Sequence, residues 1–327
     1  MRAVVVERFG GPEVLQVVEQ GEPVPGPGQV LIRVEYTSVN FADIKARHGQ
    51  YHGGGAPPYV PGLDAMGVVA ALGPGVGNLS VGQRVIAFPA SGSYAELVLA
   101  DAALAFPVPD EVEALQAAAC PVVGLTSYKL LADVARVRPG EAVLVHAAAG
   151  GVGTTALQIA RLLGAGLVVG AVGSAGKEEA ARAAGADLVV NIREADWPDR
   201  IKEATAGRGV DVILDSVAGR VTGESFRCLA PFGRLVNFGD ASGETGWVPT
   251  IDLHGSCRAV LGFSLGTTRR QRPQDLAAAA AAVLGFLAHK LLTMHVSREM
   301  RLEQAGDAHR LVEDRRSTGK VLLAVSA

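Results

Sequence analysis

Val143-Leu144-Val145-His146-Ala147-Ala148-Ala149-Gly150-Gly151-Val152-Gly153 decides the fold. An apolar run of strand type passes through small residues into a glycine turn, and residues 154–163 continue with the spacing of an amphipathic helix. Strand, glycine turn and helix in this order open a dinucleotide-binding βαβ unit. Gly150 lets the backbone come close to a pyrophosphate. Gly153 lets the helix pack tightly on the strand, and the N–H groups of the first helical turn face the phosphate charge. Ala148 stands where G-x-G-x-x-G has its first glycine, so the assignment rests on the strand–turn–helix context.

Downstream, the alternation repeats. Residues 167–172, 187–190, 210–215 and 234–238 read as strands that are apolar on both faces, with helical material between them. That pattern predicts a doubly wound parallel sheet. The end of its second strand chooses the cofactor. An NAD site places Asp or Glu there for the ribose 2′-hydroxyl. This chain reads Gly173-Ser174-Ala175-Gly176-Lys177, with a hydroxyl and a cation but no carboxylate. Repulsion of a 2′-phosphate is gone and attraction is added, so NADPH is expected over NADH.

Upstream, roughly the first hundred residues hold short β-branched runs (3–6, 30–34, 67–71, 84–87, 95–99) separated by Pro and Gly, as in a small irregular barrel or sandwich. Pro109-Asp110-Glu111 opens a helical stretch to Ala119. After about residue 259 come an Ala-rich helix (273–289), a charged helix (302–314) and a terminal strand (320–325). A nucleotide domain inserted between a β-rich segment and a returning C-terminal piece is the predicted architecture.

Composition agrees with an enzyme of this kind. At about 150 residues per domain, 327 residues predict two domains. Hydrophobic residues at 49% and charged residues at 19% exclude disorder. With 30 basic against 33 acidic residues there is no cationic excess for a nucleic acid. Cys120, Cys228 and Cys257 are too scattered for a disulfide framework or a zinc lobe and are expected to be small buried hydrophobes. The N-terminus reads as a strand, and the apolar stretch 276–287 is too short for a bilayer. A soluble, cytoplasmic protein is expected.

Several motifs resemble one family. Ala147-x-x-Gly150-x-Val152-Gly153, Gly124-Leu125-Thr126-Ser127-Tyr128, Asp215-Ser216-Val217, Asn237-Phe238-Gly239, Gly319-Lys320-Val321-Leu322-Leu323 and Ser38-Val39-Asn40-Phe41-Ala42-Asp43 are similar to the zinc-independent quinone oxidoreductases, the zeta-crystallin-like branch of the medium-chain dehydrogenase/reductases. The resemblance runs collinearly over essentially the whole chain. It implies a discontinuous GroES-like catalytic domain (1–119 and 261–327), a Rossmann NADP-binding domain (120–260), a cleft active site between them, NADPH and a homodimer. By position it assigns Asn40 and Thr126 to the nicotinamide neighbourhood. Gly150, Gly151 and Val152 fall to the pyrophosphate, and Ser174 and Lys177 to the 2′-phosphate. Phe238, Gly239 and the segment around Leu265 line the nicotinamide side, and Ser216 and Arg315 are further cofactor-binding candidates.

Zinc-dependent relatives carry a Cys in the segment corresponding to 39–41 and a GHExxG motif. Here the segments read Ser38-Val39-Asn40-Phe41 and Gly62-Leu63-Asp64-Ala65-Met66-Gly67, and Phe88-Pro89-Ala90-Ser91-Gly92-Ser93-Tyr94 closes without a four-cysteine lobe. With thiolate and imidazole missing, no metal is expected. Two positions depart from quinone oxidoreductases that carry Tyr there, Lys45 and Ile192; the second loses a stacking partner for adenosine. The feasible chemistry is hydride transfer from nicotinamide C4 to a carbon conjugated with a carbonyl, on a quinone or enone. Candidate catalytic donors are Asn40, Lys45 and Tyr51, with His48 read as a plain loop histidine. An enoyl-thioester reductase is the alternative, because residues 146–153 also resemble the enoyl reductase domains of polyketide synthases and Arg269-Arg270-Gln271-Arg272 could meet a CoA or carrier-protein phosphate. An NADPH-binding protein with little catalysis is the alternative from another class.

Overall fold

Alternating apolar residues and Gly/Pro breaks become strands as the chain runs, and the computed structural model describes residues 1–51, 55–89 and 92–325. Seven strands come first: β1 (Arg2–Val6), β2 (Leu15–Glu19), β3 (Gln29–Val39), β4 (Ala65–Leu72), β5 (Arg84–Ala87), β6 (Leu97–Asp101) and β7 (Ala105–Pro107). Helix α1 (Phe41–Arg47) follows β3, and α2 (Ala114–Ala119) and α3 (Pro121–Tyr128) follow β7. Strands β8 (Ala142–Val145), β9 (Leu167–Val172), β10 (Leu188–Asn191), β11 (Val210–Asp215), β12 (Leu229–Asn237) and β13 (Ala259–Gly262) come next, with α4 (Gly151–Leu162) after β8. The chain ends with β14 (Val296–Arg301), the helix Ala305–Glu313 and β15 (Lys320–Ala324).

Two units result, Met1–Leu125 with Leu265–Ala327, and Thr126–Ser264. The seams fall a few residues beyond 119 and 260. The first lies inside α3, where no loop or change of composition marks it.

In the first unit β1 pairs with β2, and a larger sheet runs β14-β15-β3-β4-β5-β7 with β6 also on β3. Its pairs are antiparallel except β14 with β15. The 11-residue β3 is shared by β15, β4 and β6, and its register against β4 slips between Val34 and Tyr36. Gly67 sits opposite that slip; a Cβ there would stand 2.1 Å from the Arg33 carbonyl oxygen, so only glycine fits. Val30, Ile32, Val34, Val69, Val85, Val321 and Leu323 form this unit's core.

The second unit is a six-stranded, wholly parallel sheet in the order β10-β9-β8-β11-β12-β13. The chain winds outward from β8 to β10, returns, and winds outward again from β11 to β13. The reversal between β8 and β11 is the switch point of a doubly wound sheet. Leu144, Val169, Ile213 and Leu235 build the core below it, with Trp197 and Ile201 from the helix Trp197–Ala204.

Helix ends drift from the sequence reading where capping changes. The stretch after Pro109 turns before becoming helical at Ala114, and the 273–289 segment begins as a 3-10 turn, Pro273–Leu276, before Ala277–Ala288. Helices α1 and Leu265–Gln271 escape the sequence reading, each being only seven residues long.

Candidate functional site

In the Thr126–Ser264 unit the glycine turn is fastened from both sides. His146 N donates to Leu214 O at 3.0 Å and Ala148 N to Ala171 O at 3.0 Å, tying the turn to β11 and β9. Ala147 adopts φ 50°, and Gly150, extended at φ −82° and ψ 178°, starts α4 with no side-chain cap. The first N–H groups of α4 therefore have neither an intrahelical acceptor nor a capping side chain. A Cβ on Gly153 would lie 2.3 Å from Ala147 O and 2.6 Å from Ala148 C, so this glycine sets how closely α4 meets the turn. Ser127 Oγ, from α3, donates to Val152 O at 3.2 Å, and Thr126 lies buried beside it in sequence.

The same sheet edge gathers the other residues assigned to this unit. After β9 the chain passes Gly173 and Ser174 into a 3-10 turn, Ala175–Lys177, where Lys177 N donates to Ser174 O at 3.1 Å. The first carboxylate beyond, Glu178, pairs with Arg182 at 2.8 Å. Ser216 follows β11, with its carbonyl accepting from Ala241 N, and Phe238 N donates to Asp215 O. Gly150, Gly151, Val152, Ser174, Lys177, Ser216, Phe238 and Gly239 thus all lie at the C-terminal ends of the parallel strands, where open α/β sheets take their ligands.

Asp215 enters the sequence reading only as part of a motif, yet it shapes that edge. Its Oδ1 accepts from Val217 N (2.9 Å) and Ala218 N (3.0 Å), and its Oδ2 from Thr222 Oγ1 (2.6 Å). A single carboxylate closing the apolar run of β11 is the available signal. Burial lowers the pKa of His146, whose Nε2 meets Ser225 Oγ at 2.8 Å.

In the other unit the sequence candidates fall on and around α1. Asn40 precedes the helix, Lys45 is on its last turn, and Tyr51 follows it. Asn40 is buried and its amide is committed: Oδ1 accepts from Lys320 Nζ at 2.8 Å, and Nδ2 donates to Ser38 O at 3.2 Å, with Ser38 Oγ and Asp64 Oδ2 at 3.4 Å. Lys320 Nζ also donates to Val39 O at 3.1 Å. Ser38 Oγ meets both oxygens of Asp64, at 2.7 and 2.9 Å, and Asp43 Oδ2 accepts from Asn40 N at 2.8 Å. Ser38, Asp43, Asp64 and Lys320 are each 3% exposed or less. Burial, with Asp64 adding, pushes Asp43 up to about 7, while burial lowers Lys320. Sequence reasoning assigns no role to Asp64 or Lys320. Nothing local reveals them, since they arrive from segments far apart in the chain.

The remaining assignments spread out. Leu265 opens the helix Leu265–Gln271, and Arg315 occupies an exposed turn at φ 58° after the helix Ala305–Glu313. The run Arg269-Arg270-Gln271-Arg272 does not act as one patch: Arg269 turns inward, its Nη1 donating to Leu63 O at 2.9 Å, while Arg272 is exposed and Arg270 does not share that contact. Among the described residues no group of three or more His, Cys, Asp or Glu could hold a metal ion. Ala90 and Ser91, in the segment read as closing without a cysteine lobe, lie outside the described residues. No helix is long and apolar enough to cross a membrane among the described residues. Of the cysteines, Cys120 and Cys228 are buried as expected, but Cys257 is exposed, in the turn between the helix Thr250–His254 and β13.

A parallel sheet of this order, opened by a glycine turn and inserted into a mainly antiparallel β unit, defines the class of two-unit dehydrogenases and reductases. Residues 151–282 match the zinc-binding dehydrogenase family and residues 26–110 the alcohol dehydrogenase GroES-like domain. Quinone oxidoreductase 1 of Escherichia coli (strain K12) is 37% identical over 329 residues, covering 97% of both chains. The synaptic vesicle membrane protein VAT-1 homolog of Danio rerio is 32% identical over 339 residues, 98% of this chain and 69% of that one. The crystal structure of Escherichia coli quinone oxidoreductase complexed with NADPH matches with a TM-score of 0.92 at 33% identity, covering 99% of this chain and 100% of that one. The chain belongs to the medium-chain dehydrogenase/reductase superfamily of oxidoreductases, in the branch that contains the quinone oxidoreductases.

Proposed function

We propose that the chain is an NADPH-dependent reductase of quinones and α,β-unsaturated carbonyl compounds that works without zinc. The observation that carries this reading is the make-up of one sheet edge: an uncapped helix N-terminus after β8, then a serine and a lysine with no carboxylate after β9. These residues fit NADPH. The N–H groups of Gly151 and Val152 receive the pyrophosphate, Gly150 admits its approach, and Ser174 and Lys177 take the 2′-phosphate. Phe238, Gly239, Asn40, Thr126 and the segment around Leu265 are assigned to the cofactor's nicotinamide side, with Ser216 and Arg315 further cofactor-binding candidates. Bound NADPH supplies a hydride from its nicotinamide ring.

The chain's own side chains must then orient the substrate and hold its charge. Because the Asn40 amide is held by Lys320 and Ser38, Asn40 acts by fixing the start of α1, while Lys45 and Tyr51 are the donors to the substrate oxygen. Protonation comes from water. Three free cysteines accord with a reducing cytoplasm. β13 ends its sheet with Val260 at 41% exposure, which supports a homodimer through that edge and is tested by light scattering.

The test is oxidation of NADPH and of NADH by the purified protein with 1,4-benzoquinone, cyclohexenone and crotonyl-CoA. NADPH-preferring turnover of the quinone or enone is expected. Turnover of the thioester alone makes the chain an enoyl-thioester reductase; a thermal shift with NADPH and no oxidation makes it a binding protein.

A further inference from the structure

Arg47 and Arg234 are drawn towards the interior, and each is met by a carboxylate, Glu313 at 2.6 Å and Glu141 at 2.6 Å. Arg269 is drawn inward without one. It stands on the helix Leu265–Gln271, its Nη1 donates to the main-chain oxygen of Leu63, and its guanidinium carbon lies 5.1 Å from the centroid of the buried Phe88 ring. Carbonyl and ring fix the guanidinium in place, but neither neutralises it. Among the described residues it has no ion-pair partner within 4.0 Å. The two acidic groups that act on it from farther away are already engaged, Asp64 by Ser38 and Asp43 by Asn40 N.

Arg269 is half-buried, and even a partly desolvated cation is costly unless it is paired. One that is rigidly held and left without a carboxylate is suited to an anion that comes and goes. Two residues assigned to the substrate and cofactor bear on it. Tyr51, a candidate donor to substrate, is among the groups whose charge would be felt at Arg269, with Asp64 and Asp43. Leu265, assigned to the nicotinamide side, lies four residues earlier and so on the same face of the helix.

We infer that Arg269 is a catalytic residue that binds the carbonyl oxygen of the quinone or enone and holds the negative charge that collects there. The inference rests on the reductase reading above. When the conjugated carbon of an enone receives hydride, a new C–H bond forms and the C=C pair moves into the C–C bond next to the carbonyl. The carbonyl π pair passes to oxygen, and the oxyanion formed takes its proton from water at carbon or oxygen. The substrate gains two electrons and NADPH becomes NADP+. A fixed guanidinium stabilises that oxyanion more than the neutral carbonyl, which is the requirement for raising kcat. The site selects substrates whose reduction places charge on oxygen.

The test uses Arg269→Met and Arg269→Gln, with thermal midpoints to establish folding. Three readouts are compared: kcat with 1,4-benzoquinone, NADPH binding by fluorescence, and binding of 4-nitrophenolate, a mimic of the reduced oxyanion, by its absorption shift. Loss of one oxyanion partner predicts a fall in kcat on the order of 100-fold. NADPH affinity stays within about twofold, and 4-nitrophenolate binding weakens at least about tenfold, the cost of one charge-assisted hydrogen bond. If Arg269→Met does not fold, Arg269→Gln, which keeps a donor for Leu63 O but no charge, is read alone. Either folded variant with wild-type kcat, or with undiminished 4-nitrophenolate binding, overturns the assignment. If the wild type binds NADPH but reduces neither quinone nor enone, the reductase reading fails instead. The 4-nitrophenolate titration then decides whether Arg269 is an anion site.

Discussion

The two units hold their polar groups in opposite ways. At the edge of the parallel sheet the polar groups on offer are main-chain N–H groups freed by geometry, with Gly150 and Gly153 keeping the turn open and close-packed and Asp215 bracing the next turn. In the mainly antiparallel unit they are side chains in the interior, Ser38, Asn40, Asp43, Asp64 and Lys320, each satisfied by the others. A backbone site tolerates side-chain change wherever glycine is kept. A side-chain network fails at any member, because each loss leaves a buried partner unsatisfied.

The largest effect is expected at Lys320. Lys320→Met removes the only positive charge contacting Asn40 Oδ1 and Val39 O among the described residues, and takes away one of the cations that act on Asp43 and Asp64 from farther off. Leaving two buried acceptors without their charged donor costs about 1–3 kcal/mol each, read by urea unfolding. A loss under about 1 kcal/mol, the level of an exposed pair, would mean that the network does not hold this unit and would remove the contrast between the two units.

Next comes a pH test inside the same unit. Asp43, raised by burial to about 7 from 3.8, keeps its proton in the fold after the unfolded chain has lost it. Its contribution therefore falls as pH rises from about 4 to about 7. His309, pushed down to about 3 from 6.5 by burial and by Arg47, resists a proton that the unfolded chain accepts. Its contribution is lost as pH falls over nearly the same window. The two slopes oppose each other, each approaching about 1.4 kcal/mol per pH unit. Relative to wild type, Asp43→Asn should gain stability with rising pH and His309→Gln should lose it. Urea midpoints from pH 4 to 7 that run parallel for all three proteins would contradict both assignments.

A smaller effect tests the backbone edge. Gly153→Ala places a Cβ against the Ala147 and Ala148 backbone, which cannot yield as a side chain would. About 1–3 kcal/mol of stability should be lost, together with NADPH affinity. At Gly176, on the same edge, an added Cβ would meet nothing within 4 Å, so Gly176→Ala is the matched control and should bind normally. Equal behaviour of the two variants would show that close packing at Gly153 is not what forms the site.

This contrast also explains what can be read in the sequence. The parallel sheet, its glycine turn and the Gly173–Lys177 segment lie on short local stretches, where strand periodicity and glycine spacing report the structure directly. Lys320 and Asp64 do not: a lysine after Gly319 and an aspartate after Leu63 look like ordinary surface charges until β15, β3 and the loop before β4 come together. Arg269 reads as part of a solvated run because its inward turn depends on Leu63 and Phe88, some two hundred residues away. Helix α1 stays hidden because seven residues give too little periodicity to recognise.

The smallest effect is at Lys177, which sharpens the comparison by asking whether the backbone edge also needs a side chain. The turn Ala175–Lys177 carries no carboxylate, and the proposed reading gives discrimination between NADPH and NADH to Ser174 and Lys177. Lys177→Ala removes one charge-assisted contact to the 2′-phosphate, about 1.5–2 kcal/mol, and leaves the pyrophosphate contacts intact. NADPH binding should weaken roughly tenfold or somewhat more while NADH binding stays the same, measured by cofactor fluorescence. Raising the salt concentration should narrow the difference between wild type and variant, since the lost interaction is a screened charge pair. Equal weakening for both cofactors would place Lys177 in support of the turn, and unchanged NADPH affinity would remove it from the 2′-phosphate altogether.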